Sequence, residues 1–259
     1  MRPDPLRAML FAAVIATAAG CASSPTSATQ ANAGTSSAMS NKGLANLSLA
    51  QSYLTSGQME YAMDRANRAL RSDPHSADVQ VVLGMIREKL GDRARAGDHY
   101  ARASKLGPDS GHVLNVHAAW LCQQGSAAEA DALFARAVKD PFYKTKEQAY
   151  FNAGKCAMRA GQLEQAEQYL REGLAIAPES PALLARMAEL QFRQRDYMSA
   201  RAFYQRREAL GAPSAELLHL AAGIEQGAGN AVAAQRYRQR LREQFPDYTP
   251  PATEGLRQP

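Results

Sequence analysis

Apolar and small side chains recur along most of the chain in the pattern of paired amphipathic helices. A small residue in the second helix of each pair recurs at spacings of 34, 34, 36, 34 and 34 residues: Ala62, Ala96, Ala130, Ala166, Ala200 and Ala234. Glycine accepts the left-handed turn that ends a helix, and it follows the first helix of most pairs: Gly57, Gly91, Gly125, Gly161 and Gly229. A proline after each pair prevents the second helix from continuing. The pattern predicts six consecutive helix–turn–helix units.

This repeat resembles the tetratricopeptide repeat, whose period is 34 residues, and it predicts an all-α superhelical solenoid. The predicted units are 43–76, 77–110, 111–146, 147–180, 181–214 and 215–248. Larger side chains in the second helices, such as Tyr100 and Phe134, are expected to fill the space between units. The last helix carries Arg236, Arg238, Arg240 and Arg242. We interpret it as the polar cap that ends a solenoid, with binding to an acidic partner or to lipid headgroups as the alternative.

The residues before the repeats have the pattern of an export signal. Arg2 and Arg7 flank a short N-terminal region, and the apolar run at 8–19 that follows is too short to span a bilayer but suits a secretory signal peptide. The run ends in Ala18-Ala19-Gly20-Cys21, which resembles a bacterial lipoprotein cleavage box. We therefore predict a signal peptide at 1–20 and lipidation of Cys21, with ordinary cleavage beside an incidental cysteine as the alternative. Residues 21–42 are predicted to be a flexible tether, and residues 249–259 a disordered tail.

Composition and motifs argue against catalysis and nucleic-acid binding. The 259 residues carry 30 Lys and Arg against 25 Asp and Glu, and a net charge of +5 over this length is a weak field. The chain has no glycine-rich phosphate loop, no serine nucleophile elbow and no paired carboxylates in a recognisable setting. Its five histidines lack the Cys/His/Asp cluster of a metal site. We expect no enzyme, cofactor, metal, nucleic acid or small-molecule substrate.

The inner face of the first unit is the predicted binding surface. Positions 2, 5, 9 and 12 of each first helix line the concave face of such a superhelix, and in unit one these are Leu44, Leu47, Gln51 and Leu54. Three leucines on a face expected to meet water predict a groove for an apolar segment of a protein partner. Val81 and Met85 extend the groove into unit two. The alternative is that Leu44 and Leu47 cap the N-terminal end or lie under the tether.

Two cysteines remain if Cys21 is acylated. Cys122 and Cys156 fall on the first helices of units three and four, which are neighbours in a tetratricopeptide stack. An exported protein meets an oxidising compartment, so we predict a disulfide between them. Two buried free thiols are the alternative.

Several local segments resemble a particular family, the pilotins of the type IV pilus (PilF/PilW). These segments are Trp120-Leu-Cys-Gln-Gln-Gly125, Ala137-Val-Lys-Asp-Pro-Phe-Tyr143 and Asn152-Ala-Gly-Lys-Cys156. The resemblance implies a lipoprotein on the periplasmic face of the outer membrane, and it implies the Cys122–Cys156 disulfide. Such a protein binds subunits of the pilus secretin and promotes their outer-membrane localisation and multimerisation, which pilus biogenesis and twitching motility require. The alternatives are a lipoprotein scaffold for outer-membrane protein assembly or for cell-wall enzymes.

Overall fold

The computed structural model describes residues 39–250, and its twelve helices account for all regular secondary structure in that range. The helices are α1 (Asn41–Thr55), α2 (Met59–Ser72), α3 (Ala77–Lys89), α4 (Arg93–Leu106), α5 (Gly111–Gln123), α6 (Ala127–Ala137), α7 (Lys146–Arg159), α8 (Leu163–Ile176), α9 (Pro181–Arg193), α10 (Tyr197–Glu208), α11 (Ala215–Gly227) and α12 (Ala231–Gln244). They form six antiparallel pairs, which confirms the predicted all-α solenoid.

The ends of the chain carry several predictions that lie outside the described residues. These are the signal peptide at 1–20, Cys21, the tether up to residue 38 and the tail from residue 251. The last predicted tether residues are described, and they differ from the expectation. Ser40 accepts a hydrogen bond from Gly43 N–H as an N-cap, so α1 begins at Asn41, two residues before the predicted start of unit one. None of the helices in residues 39–250 is long and apolar enough to cross a membrane.

The first helices of the units form the inner layer of the solenoid. The backbone of each first helix lies close to that of the next one along the chain (α1 with α3, and so on to α9 with α11). In the described part, the second helices of neighbouring units meet only through side chains, such as Tyr169 with Asp131 and Arg240 with Glu208. Because the first helices are packed closer together than the second helices, the array curves with the first helices on its inner side. This geometry places the predicted positions 2, 5, 9 and 12 on that inner side.

Small and large side chains alternate across the contacts between helices. The alanines of the repeating series, from Ala62 to Ala234, are fully buried. Gly84 lies against the ring of Tyr100, and a Cβ atom there would lie 2.7 Å from the ring. Gly154 lies equally close to the side chain of Leu170. Close helix contacts thus require a small residue opposite each bulky one, as the sequence pattern predicted.

The turn inside each unit uses a left-handed residue. Gly57, Gly91, Gly125, Gly161 and Gly229 have φ values between +76° and +90°. Unit five has no glycine there, and Arg195 takes the same conformation with φ of 63°. A side chain in this region costs about 1–2 kcal/mol because its Cβ approaches the backbone.

We therefore expect Arg195→Gly to stabilise the protein by about 0.5–1 kcal/mol. The substitution relieves the strain of the left-handed conformation, and part of that gain is lost because glycine increases the entropy of the unfolded chain. Lys155→Gly is the matched control, because Lys155 is exposed inside α7. The control should lower the free energy of unfolding by about 1 kcal/mol. Urea denaturation measures both, and a loss of stability in Arg195→Gly would contradict the prediction.

Both ends of the solenoid are polar. Unit two buries Val79, Val82 and Ile86 against the preceding helix α2. The matching positions of unit one, 34 residues earlier, are Ala45, Ser48 and Ser52, which are exposed. Leu83 of the same core is matched by Leu49, which is also exposed and is the large apolar exception on this face. At the other end, Arg238 stands where units two to five have Tyr100, Phe134, Leu170 and Tyr204. Within residues 39–250 no further unit packs on these end faces, and their largely polar side chains suit contact with water.

Candidate protein-binding groove

A groove of about 560 Å³ opens on the inner side of units one and two. Its walls come from α1 and α3, and the start of α5 closes one end. The lining residues are Leu44, Leu47, Gln51, Leu54, Thr55, Asp78, Val81, Val82, Met85 and His112. The structure thus brings all six residues of the predicted groove together in one depression.

The α1 wall follows from helical periodicity. Leu44, Leu47, Gln51 and Leu54 are spaced three or four residues apart, so they share one face of the helix. Their depths differ. Leu44 is 54% exposed at the mouth and Leu54 is half-buried, whereas Leu47 is only 4% exposed. Leu47 belongs to the core of units one and two, so the expectation that all three leucines meet water is wrong for Leu47.

The α3 wall repeats this division between floor and mouth. Val81 is buried, and Met85 is 39% exposed. A methionine suits an adaptable binding wall because its unbranched, polarisable side chain fills irregular shapes. The rim is polar, with exposed Gln51, Asp78 and His112. An apolar floor with a polar rim is the usual composition of a site that binds an apolar group of a partner.

Two rim residues were missed by the sequence reasoning. Asp78 and His112 occupy position 2 of units two and three, which belongs to the same inner-face series. Applying the inner-face positions to every unit, whatever the residue type, would therefore have identified both residues. The search for apolar side chains passed over them because both are polar.

Beyond unit two the inner side changes character. Asn115 is buried, and its Nδ2 donates to the hydroxyl of Tyr143 at 3.0 Å. Phe151 is half-buried, with the guanidinium of Arg186 at 5.7 Å from the ring centre. Lys155 is exposed one turn further along α7. The apolar surface open to a partner is thus concentrated in units one and two.

His99 in α4 and His117 in α5 are structural. His99 Nδ1 lies 2.8 Å from Gln80 Oε1, and His117 Nδ1 lies 2.8 Å from the Ser104 hydroxyl. Burial lowers the pKa of both histidines below the ordinary value, which favours the neutral form at pH 7. No group of three His, Cys, Asp or Glu side chains in residues 39–250 is placed to hold a metal ion.

The two predicted disulfide cysteines lie side by side. Cys122 on α5 and Cys156 on α7 are both buried, and their Cα atoms are 5.7 Å apart. This separation lies in the range that disulfides span. The pairing therefore stays a prediction with favourable geometry.

Comparisons with known proteins agree with this architecture. One family model of the tetratricopeptide repeat matches residues 47–111 and 121–181, and a second matches residues 157–224. The type IV pilus assembly protein PilF of Pseudomonas aeruginosa is 27% identical over 160 residues. The aligned region covers 62% of this chain and 64% of that protein, so it spans just under two thirds of the relative's length.

Two solved structures share both the fold and recognisable sequence. The structure of Pseudomonas aeruginosa PilF superposes with a TM-score of 0.72 at 25% identity, covering 80% of this chain and 93% of that one. The crystal structure of PilW, described as a widely conserved type IV pilus biogenesis factor, gives 0.76 at 27% identity, covering 81% and 96%. The chain belongs to the tetratricopeptide-repeat family. Within that family it is homologous to PilF and PilW, which confirms the resemblance found in the sequence.

Proposed function

We propose that the protein is a pilotin, an outer-membrane lipoprotein that binds the type IV pilus secretin and promotes its outer-membrane localisation and multimerisation. The observation that carries this proposal is the homology to PilF and PilW along the solenoid. The repeat family and these relatives also favour a non-enzymatic role in pilus biogenesis, exercised through protein contacts.

The groove of units one and two is the proposed secretin contact. Its opening has room for a few apolar side chains, with Leu44 and Met85 at the mouth and Leu47 and Val81 at the floor. A short apolar segment of the secretin, helical or extended, would bury these side chains and leave the polar rim in water. Because packed helices hold the walls in place, little conformational entropy is lost when the partner binds.

The start of α1 supports a role for the predicted anchor. Ser40 donates from its backbone N–H and its hydroxyl to the Asp73 carboxylate, at 2.9 and 2.8 Å. These bonds fix the point where the predicted tether joins the solenoid, one turn before Leu44 at the mouth of the groove. A flexible chain of twenty residues reaches roughly 25 Å on average. Acyl chains on Cys21 would therefore keep the groove close to the membrane that receives the secretin.

The test is the state of the secretin in a strain that lacks this gene. We expect the detergent-resistant multimer to disappear on an immunoblot of membranes and to return with the intact protein. The Cys21→Ser form should restore it several-fold less well, because the protein is then no longer held at the outer membrane. Unchanged multimers in the deletion strain would refute the pilotin proposal. Full rescue by Cys21→Ser would show that the lipid anchor is not required, and it would leave the rest of the pilotin proposal unaffected.

A further inference from the structure

The connection between α6 and α7 holds an unusually exposed aromatic side chain. Phe142 is 87% exposed, more than any other large apolar side chain in the described part of the chain. It lies where the repeat is two residues longer than elsewhere, between Ala130 and Ala166. The proposed secretin groove does not include it, because that groove is built from α1, α3 and the start of α5.

The connection is held so that Phe142 points away from the core. The Asp140 carboxylate accepts hydrogen bonds from the N–H groups of Gly111 and Phe142, both at 2.8 Å. On the other side, Tyr143 is buried and its hydroxyl accepts from Asn115. Since the residues on both sides of Phe142 are anchored, the exposed ring is a fixed feature of the surface.

Basic residues flank Phe142 along the chain. Lys139 and Lys144 are exposed on either side of it, and Arg136 and Lys146 lie at the ends of the neighbouring helices. Asp140 and Glu147 are the acidic residues of this stretch. Hydrogen bonds from backbone N–H groups, that of Gly111 first, lower the pKa of Asp140, and they direct its carboxylate toward the protein. The outer surface of the connection therefore combines an aromatic ring with a net positive charge.

The connection also lies on the edge of the solenoid where the chain enters. Because each unit runs out along one helix and back along the next, the start of every first helix and the end of every second helix share one edge. The bond between Ser40 and Asp73 at the start of α1 and the bond between Gly111 and Asp140 at the start of α5 both lie on this edge. Phe142 and the attachment point of the predicted tether therefore lie on the same side of the array.

We propose that the α6–α7 connection is a second, non-covalent membrane contact, in which Phe142 enters the interface of an anionic phospholipid bilayer and Lys139 and Lys144 bind its headgroups. An aromatic ring flanked by lysines suits that interface, where the ring meets the acyl boundary and the amines meet phosphate. The side chains beside the ring, Pro141, Lys144 and Thr145, are all exposed, so the ring forms a protruding tip. The proposal rests on the proposed lipid anchor, which brings this edge within reach of a bilayer.

The test measures vesicle binding without the acyl anchor and without secretin. The chain from residue 21 onward, carrying Cys21→Ser, is floated with vesicles of phosphatidylethanolamine containing increasing phosphatidylglycerol. We expect binding that grows with phosphatidylglycerol and falls with salt. Phe142→Ser should weaken vesicle binding about tenfold, because the aromatic ring no longer enters the bilayer interface. Lys144→Ser should weaken it about fivefold, because one cation is lost at the anionic surface. Val232→Ser is the matched control, because Val232 is also largely exposed but lies at the start of α12, on the opposite edge.

The possible outcomes separate the alternatives. Equal binding by Phe142→Ser and the parent chain, or no binding by either, would overturn the proposal. Loss of binding in Val232→Ser as well would also overturn it, because the effect would then not be specific to this edge. If Phe142→Ser impaired secretin binding and left vesicle binding intact, the tip would be a protein contact. None of these vesicle results bears on the secretin multimer, so the two proposals fail independently.

Discussion

Replacement of both Leu44 and Met85 by glutamate is expected to weaken secretin binding at least about a hundredfold while the melting temperature stays unchanged. The two side chains form opposite walls at the mouth of the groove, and both are substantially exposed in the free protein. Glutamate is tolerated there because it faces water. In the complex, each carboxylate would be buried against an apolar segment, and each would lower the affinity for the secretin by a factor of about ten or more.

The measurement is calorimetric titration of the whole chain with the periplasmic part of the secretin, together with circular dichroism. Tyr61→Glu is the matched control, because Tyr61 is 61% exposed on α2 and does not line the groove. Undiminished binding by the double variant would exclude this groove as the secretin site. Leu47→Glu would not be informative, because Leu47 is part of the core and a buried carboxylate there would unfold unit one.

Removal of the predicted disulfide is expected to have the largest effect on stability. In the chain-entropy description, a crosslink across the 34 residues between Cys122 and Cys156 stabilises the native state by about 4 kcal/mol, because it restricts the unfolded chain. We therefore expect the variant with both cysteines changed to alanine to lose about that much free energy of unfolding. Urea denaturation with and without a reductant measures the effect.

The double alanine variant also supplies the control, since a reductant should destabilise the wild type and leave the variant unchanged. Mass spectrometry of unreduced peptides gives a direct check of the pairing. Two thiols that react with an alkylating agent after unfolding without a reductant would show that Cys122 and Cys156 are free. In that case the alanine substitutions should cost only the packing of two buried side chains.

The repeat made much of the fold predictable from the sequence. In a periodic solenoid, a residue's position in its unit determines which neighbour it meets, so the alanine series and the turn glycines located the helices. The same regularity placed Leu44, Leu54 and Met85 on one surface although they lie on two different helices.

The burial of individual side chains, and the places where a unit departs from the repeat, were harder to predict. Periodicity identifies the face of a helix but not how closely the next helix covers it, and Leu47 is buried for that reason. The left-handed turn at Arg195 could not be predicted from residue type, because arginine rarely adopts that conformation. The exposure of Phe142 depends on hydrogen bonds from Gly111 and Asn115, which lie about 30 residues earlier and reach its neighbours only in the folded chain.

The polar faces at the two ends of the solenoid have a consequence for molecules held on a membrane. Lipid-anchored proteins are confined to a plane, where their local concentration is high and even weak self-association would produce filaments. Ser48 and Ser52 at one end and Arg238 at the other stand where inner units carry apolar core side chains. Leu49 is the one large apolar exception among these matched positions, so the end faces give a second copy little apolar surface on which to continue the array. If the proposed anchor and secretin contact are correct, we expect each molecule to stay single on the membrane, with the number gathered at one assembly site set by the secretin subunits.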